Sequence, residues 1–147
     1  MGSRIDDMKN LLKAGNICVL ATCAEGRPHC SLMAYICDDG GTTVYMATLK
    51  QTQKYRNLLR NPQASLLVDT RIEQQSSGRS GIQALTASGS FQALTEAPKR
   101  QQIFEKIAAR HPHLEDLLRD EDAEPFAIMI SSFLLLDGPL EAQYLEL

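Results

Sequence analysis

The stretch Ala47–Val68, ATLKQTQKYRNLLRNPQASLLV, decides how the chain is read. It leaves an apolar, strand-like run, sets hydroxyls and ammonium groups at Thr48, Lys50, Thr52 and Lys54, opens a short helical pattern and feeds a second apolar run. Tyr55, Leu58 and Leu59 form the expected core-facing stripe, and Pro62 after Asn61 stops the helix. A helix N-terminus leaves N–H groups unpaired and carries roughly half a positive charge. Hydroxyls and an ammonium group at that point offer donors at several angles to a tetrahedral anion, which suits a phosphate monoester. The same residues also fit a plainer role, in which Thr52 caps the helix and the lysines are solvated. Spacing alone does not separate the two, because the pattern is not that of a P-loop.

Upstream, NICVLATC and HCSLMAYIC are runs of strand length around the turn AEGRP, and DDGG makes another tight turn before TTVYMAT. Three strands are therefore expected to meander antiparallel before the turn at Thr48. Ile5, Met8, Leu11 and Leu12 fall on one face of an N-terminal helix that Ser3 caps and Gly15 ends. Downstream, QASLLVDT reads as a fourth strand, RIEQQSSGRSG as a mobile loop, and IQALTASGSFQAL as a long fifth strand in which Gly89 marks a bulge or bend. TEAPKRQQIFEKIAARHP is a capped helix burying Ile103, Phe104 and Ile107, with a short helical piece in HLEDLL after it. PFAIMISSFLLLD and LEAQYLEL are two last strands around the turn GP. This is not the strict alternation of a parallel α/β sheet. The expected class is mainly β with helices (α+β): an antiparallel barrel of six or seven strands, one domain over residues 1–147.

A chain of 147 residues, 44% hydrophobic and 22% charged, has the balance of one soluble domain with a sizeable core. A formal charge of −3 and a pI near 5.6 give no global attraction to nucleic acid or to an anionic membrane, so any anion site has to be local. No apolar run approaches the roughly 20 residues of a membrane span, and MGSRIDDMKNLLKAG lacks the apolar core of a signal peptide, so a cytoplasmic location is expected. Cys18, Cys23, Cys30 and Cys37 sit in apolar segments without a Cys-x-x-Cys pair and read as reduced core thiols. His111 and His113 form a His-x-His with no third and fourth ligand nearby, so no metal site is expected. Ser31 and His29 share a strand face, an arrangement that reads as packing, and no catalytic residue is legible.

The order helix, LATCAEGRPHCSLMAY, DDGGTTVYMAT, a turn ending in Lys54, a short helix closed by NP, and ASLLV resembles the pyridoxamine 5′-phosphate oxidase-like family of FMN-binding split barrels. The similarity covers Leu12 to Thr70 and continues through QALTASGSFQAL to the next helix; Thr48 to Pro62 is its most specific piece. It implies a split barrel that forms a homodimer with FMN at the subunit interface. Carried over by position, it implies that Lys54 and Thr48 meet the FMN phosphate and that Thr52 adds a hydroxyl. Ser31, Leu32, Met33 and Ala34 would lie along the isoalloxazine and ribityl chain, with Gln83 reaching in from the other subunit.

The chain also departs from that pattern. CSLMA stands where the oxidases commonly place an arginine, and Gln53 where an arginine often precedes the phosphate lysine. The oxidases hold pyridoxal phosphate with a C-terminal Trp and Arg, whereas this chain has no Trp and ends EAQYLEL, so pyridoxamine phosphate oxidation is not expected. The resemblance implies an FMN-dependent oxidoreductase in which the flavin supplies the chemistry, with a small-molecule substrate or electron donor as partner. The alternative is a non-catalytic protein that holds flavin or haem on the same barrel, the HPH stretch offering an axial histidine.

Overall fold

Strand β1 (Ile17–Ala24) buries every second side chain at Cys18, Leu20 and Thr22, the period that places one face on a core. Glu25 and Gly26 then take positive φ (54° and 74°), the two-residue turn whose twist matches flanking strands, and β2 (Arg27–Ala34) returns antiparallel along all of β1. The computed structural model describes residues 4–70, 82–138 and 140–147. The expected loop RIEQQSSGRSG and the Ser3 cap fall outside the described residues.

The expected three-strand meander does not form. HCSLMAYIC breaks at Tyr35: β3 is only Ile36–Cys37, it pairs with β4 (Thr43–Leu49), and β4's other neighbour is β7 (Ala123–Asp137). With β5 (Gln63–Asp69) and β6 (Gln83–Ala93), the order across the sheet is β2-β1-β5-β6-β7-β4-β3, and β8 (Glu141–Glu146) pairs with β7. β2 and β3 are successive in the chain, so the two ends of this order meet at Tyr35. The antiparallel sheet thus closes on itself and stays split where β2 and β4 part, the expected class with a different strand order. Turn chemistry betrays which strands are neighbours in sequence, but β4 and β7 are separated by more than seventy residues and nothing local links them.

β7, at 15 residues, serves three neighbours: β6 along its length, β4 on its first half and β8 on its second. The bulge expected at Gly89 is present, with the β6–β7 register shifting between Ser88 and Gly89. Leu20, Met33, Met46, Leu66, Leu85, Phe126, Ile128 and Phe133 fill the interior. Helix α1 (Arg4–Ala14) adds Met8 and Leu12 to it, and α2 (Gln53–Arg60) adds Tyr55 and Leu58. Leu59, expected inside, is 61% exposed. At about 100° per residue the buried arc of α2 is centred on Leu58 and takes in Tyr55, Asn57 and Lys54 instead. Helix α3 (Ala97–Arg110) lays Ile103 and Ile107 over Ile36 and Ala47, and a 3₁₀ turn (Pro112–Leu114) leads into α4 (Glu115–Arg119). The expected cap of α3 is not a side chain: Glu96 makes no capping bond, and Pro98 in the first turn needs no N–H partner.

Candidate functional site

Tyr35 is fully buried and held at three points. Its N–H donates to the Asn16 carbonyl (3.1 Å), one step beyond the β1–β2 register, and its hydroxyl donates to the Leu12 carbonyl (2.6 Å). In place of a reciprocal ladder bond from Asn16, its carbonyl takes the ring N–H at Nε2 of His111 (2.8 Å). The Asn16–Tyr35 bond fixes the alternation of the ladder: the N–H and C=O groups of Cys30, Leu32 and Ala34 point away from β1. Among the described residues no strand pairs with that edge. Extending the β3–β4 register would set Ala34 against Ala47 and Met33 against Thr48, but the strands diverge there. Ser31 to Ala34 therefore form a free strand edge facing the β4 side, with the Leu32 side chain 74% exposed on the outside.

The turn from β4 to α2 stands over this split, since α2 packs against β1 and β2. Thr48 is buried, and its Oγ1 lies 3.1 Å from Oγ1 of Thr52. Thr52 is the N-cap: its hydroxyl accepts from the Tyr55 N–H (3.4 Å) and also reaches the Leu49 carbonyl (3.0 Å). Lys54 follows on the sheet-facing arc of α2, half-buried, one turn ahead of Leu58. It makes no hydrogen bond or ion pair with any described residue, and burial holds its pKa below that of an ordinary lysine. The plainer role of Thr52 is thus real, since it does cap the helix, and Lys54 is partly withdrawn from water. A half-buried ammonium group beside the positive end of a helix, with no carboxylate among the described residues paired to it, is a candidate anion site. The donor set of Thr48, Thr52, Lys54 and the first amides of α2 fits a phosphate monoester.

Gln53, counted from the sequence among the cofactor-binding positions, has its side chain engaged within α2, and Asn57, Arg56, Arg100 and Glu124 around the turn are groups that sequence reasoning missed. Gln53 points away from the turn, donating from Nε2 to Asn57 Oδ1 (2.8 Å), and buried Asn57 donates from Nδ2 to Thr22 Oγ1 (3.1 Å). The Arg56 guanidinium folds back along the helix to the Gln51 carbonyl (2.7 Å) and Gln53 Oε1 (3.0 Å). Glu124, opposite Thr48 on β7, receives two bonds from Arg100 (2.9 and 3.2 Å) and lies 3.6 Å from the Lys50 ammonium. The Arg100 bonds, with the charges of Arg100 and Lys50, outweigh burial and hold the Glu124 carboxyl below the usual range. Lys50 is thereby committed to a carboxylate and Lys54 is not.

Gln83 is not brought to the turn within one chain. It pairs with Asp137 at the far end of β7 while Thr48 pairs with Glu124 near its start, and it lines a separate cavity of about 500 Å³ with Asp7, Asn10, Thr70 and Leu135. Of the HPH pair, His111 is buried with Nε2 engaged, and only His113 is exposed. All four cysteines are free thiols; burial pushes Cys18 up to about 12, and burial together with Asp38 pushes Cys37 up to about 12. Among the described residues no three His, Cys, Asp or Glu side chains are placed to share a metal ion.

The family model described as pyridoxamine 5′-phosphate oxidase matches residues 5–131. No curated protein matches the sequence. The fold is similar to that of a FAD-binding protein from Mesorhizobium loti (16% identity, TM-score 0.75, 94% of this chain and 96% of that one). It is also similar to General Stress Protein 26 from Bacillus anthracis str. Sterne (16%, TM-score 0.72, 99% and 100%). A heme binding protein from Mycobacterium smegmatis superposes with a TM-score of 0.84 at 16% identity over 99% of this chain, which spans 59% of that longer protein. A match over nearly the whole chain, on a sheet split at Tyr35 with the Thr48–Pro62 turn above the split, makes this chain a member of the pyridoxamine 5′-phosphate oxidase family.

Proposed function

We propose that the protein binds FMN and works as a cytoplasmic, homodimeric FMN-dependent oxidoreductase on a small molecule. The observation that carries the reading is Lys54, a half-buried cation with no partner among the described residues, at the head of α2 beside the paired hydroxyls of Thr48 and Thr52. These groups would hold the phosphate. The free edge of Ser31 to Ala34, with the main-chain groups of Leu32 and Ala34 turned toward the split, would orient the flavin ring and ribityl chain. Bound FMN supplies the redox centre; the protein's part is to place it, shield it from water and admit a donor.

The homodimer is supported by the outer face of the sheet. Cross-strand partners Leu32, Val19, Leu67, Thr86, Leu134 and Tyr144 form one row over six strands, and Leu32 and Tyr144 are 74% and 62% exposed. Gln83, remote from the turn of its own chain, would then serve the partner's flavin.

The test compares FMN with riboflavin by fluorescence quenching, for wild type and Lys54→Ala. A charge-assisted hydrogen bond is typically worth about 1.5–3 kcal/mol, so the variant should bind FMN roughly 10- to 150-fold more weakly. Its riboflavin affinity should barely move. Equal FMN affinity in the two proteins would remove Lys54 from the site. A carrier without turnover is the second reading, favoured by the likeness to the heme binding protein. On HPH only the exposed His113 could meet haem, since His111 Nε2 is occupied. A Soret band on adding haem, with no flavin absorbance on adding FMN, would reverse the order of the two readings.

A further inference from the structure

His111 is a buried polar side chain that neither the phosphate turn nor the strand edge accounts for. It ends α3, where its own N–H closes the last turn on the Ile107 carbonyl, and its ring reaches the Tyr35 carbonyl. That carbonyl belongs to the one residue between β2 and β3. Upstream of it the chain pairs with β1; downstream it pairs with β4. An ordinary ladder at Asn16–Tyr35 would exchange two backbone bonds, holding the strand to β1 for another step. Only the bond from the Tyr35 N–H is made, and the imidazole takes the other half. The imidazole thus sits at the residue where the β1–β2 ladder ends and the chain turns to pair with β4. A carbonyl can only accept, so Nε2 carries the proton in this contact.

The surroundings make the contact hard to replace. Gly15 passes so close to Tyr35 that a Cβ there would lie 2.2 Å from the phenolic oxygen, leaving the ring no room to shift toward α1. Tyr35 is fully buried and His111 is 4% exposed, so water is a poor substitute donor.

We propose that His111 is a positioning residue for the flavin site: by holding the Tyr35 carbonyl it sets how far the Ser31–Ala34 edge stands from β4. The proposal rests on the flavin reading above. It predicts a loss on the ring side of the site, separate from the phosphate side. His111→Phe keeps a ring and removes the donor, and should weaken FMN and riboflavin alike by about tenfold, the factor matching ~1.4 kcal/mol. The FMN-to-riboflavin ratio should stay that of wild type. His111→Gln, whose amide nitrogen can still donate, should bind both flavins within about twofold of wild type, or about 0.4 kcal/mol.

Gly89→Ala is the control for mere loss of stability: its Cβ would meet the Met129 carbonyl at the β6–β7 bulge, on strands that pair with neither β2 nor Asn16, so it should lower the melting temperature and leave flavin affinity unchanged. Amide exchange on the flavin-free protein reads the hold on Tyr35 without any ligand: with its carbonyl released, the Tyr35 N–H bonded to Asn16 should exchange faster in His111→Phe and at the wild-type rate in His111→Gln. If phenylalanine is not accommodated, His111→Ala gives the same comparison. Wild-type affinity for both flavins in a folded His111→Phe protein overturns the proposal alone, as does a change confined to FMN. Wild type that binds neither flavin overturns it together with the reading beneath it, and that failure is recognised before any variant is made.

Discussion

Lys54 and Asn57 lie on the same arc of α2, and their fates separate what the sequence tells from what it hides. The cluster around Lys54 was legible as a candidate anion turn because hydroxyls and a cation gather where a strand gives way to a helix. Its burial was not, since an apolar stripe drawn through Tyr55, Leu58 and Leu59 leaves no place inside for a lysine or an asparagine. The structure turns the helix so that Asn57 bridges Gln53 and Thr22 while Leu59 faces out. A buried threonine on β1 needed a partner, and an amide reaches it where leucine cannot. The burial of Lys54 has a consequence for pH. Desolvation lowers its pKa, so its ammonium is lost at lower pH than the 10.5 of an ordinary lysine. A bound phosphate favours the charged form and raises that pKa, so the site loses its preference for phosphate as alkali removes the proton. The FMN-to-riboflavin affinity ratio should therefore fall with rising pH before 10.5 is reached, and Lys54→Arg should hold its ratio flat over the same range. Titrating both flavins from neutral pH upward measures this, and a flat wild-type profile would count against Lys54 as the phosphate cation.

Strands β4, β6 and β7 show how far local reading carries an element. All three were expected, and so was the bulge at Gly89, because a glycine midway in a long strand has few other uses. Their pairing was not legible: alternation in β4 is blurred by α3, which covers the outer side at Tyr45 and Ala47, so neither face reads as solvent. The tie between β7 and its neighbours is partly ionic, Glu124 linking α3 through Arg100 and the end of β4 through Lys50, and charged residues so far apart in sequence give no sign of meeting. At Gly89 the constraint is steric. A Cβ would come 2.0 Å from the Met129 carbonyl oxygen and 2.9 Å from the Ile130 Cα, both backbone atoms that cannot swing aside. Gly89→Ala should therefore force the β6–β7 ladder apart at the bulge and cost about 1–3 kcal/mol, as overpacking does in a filled core. Urea denaturation measures it, with Ser90→Ala, at an exposed position next door, expected to stay within about 0.5 kcal/mol of wild type. Equal midpoints for the two variants would mean that the strands have slack at the bulge.

At the scale of the molecule, one face and one misplaced residue belong together. The barrel interior was anticipated from apolar periodicity, but the outer row was not, because a side chain at the surface of a sheet and one in a dimer interface obey the same alternation. The row from Leu32 to Tyr144 spans six strands without a charge, an extent that soluble monomers rarely leave uncovered. Leu67, near its middle and 38% exposed, is flanked by Val19 on β1 and Thr86 on β6, so its replacement disturbs the face more than the core beneath. Wild type should sediment at about twice 16.3 kDa at micromolar concentration. Leu67→Arg should run as a folded monomer, because a buried guanidinium without a partner costs several kcal/mol at an interface and almost nothing in water. The second half of the argument is Gln83. It pairs near the far end of β7 from the strand position of Thr48, so within one chain it does not meet the Thr48–Lys54 turn. If the partner supplies it, the monomeric variant should lose flavin affinity by more than tenfold although every residue of its own phosphate turn is intact. Gln83→Ala in the dimer should reproduce part of that loss without changing the mass. A Leu67→Arg monomer that binds FMN as tightly as wild type would show that one chain makes the whole site, and would leave Gln83 to the cavity it lines with Asp7 and Asn10.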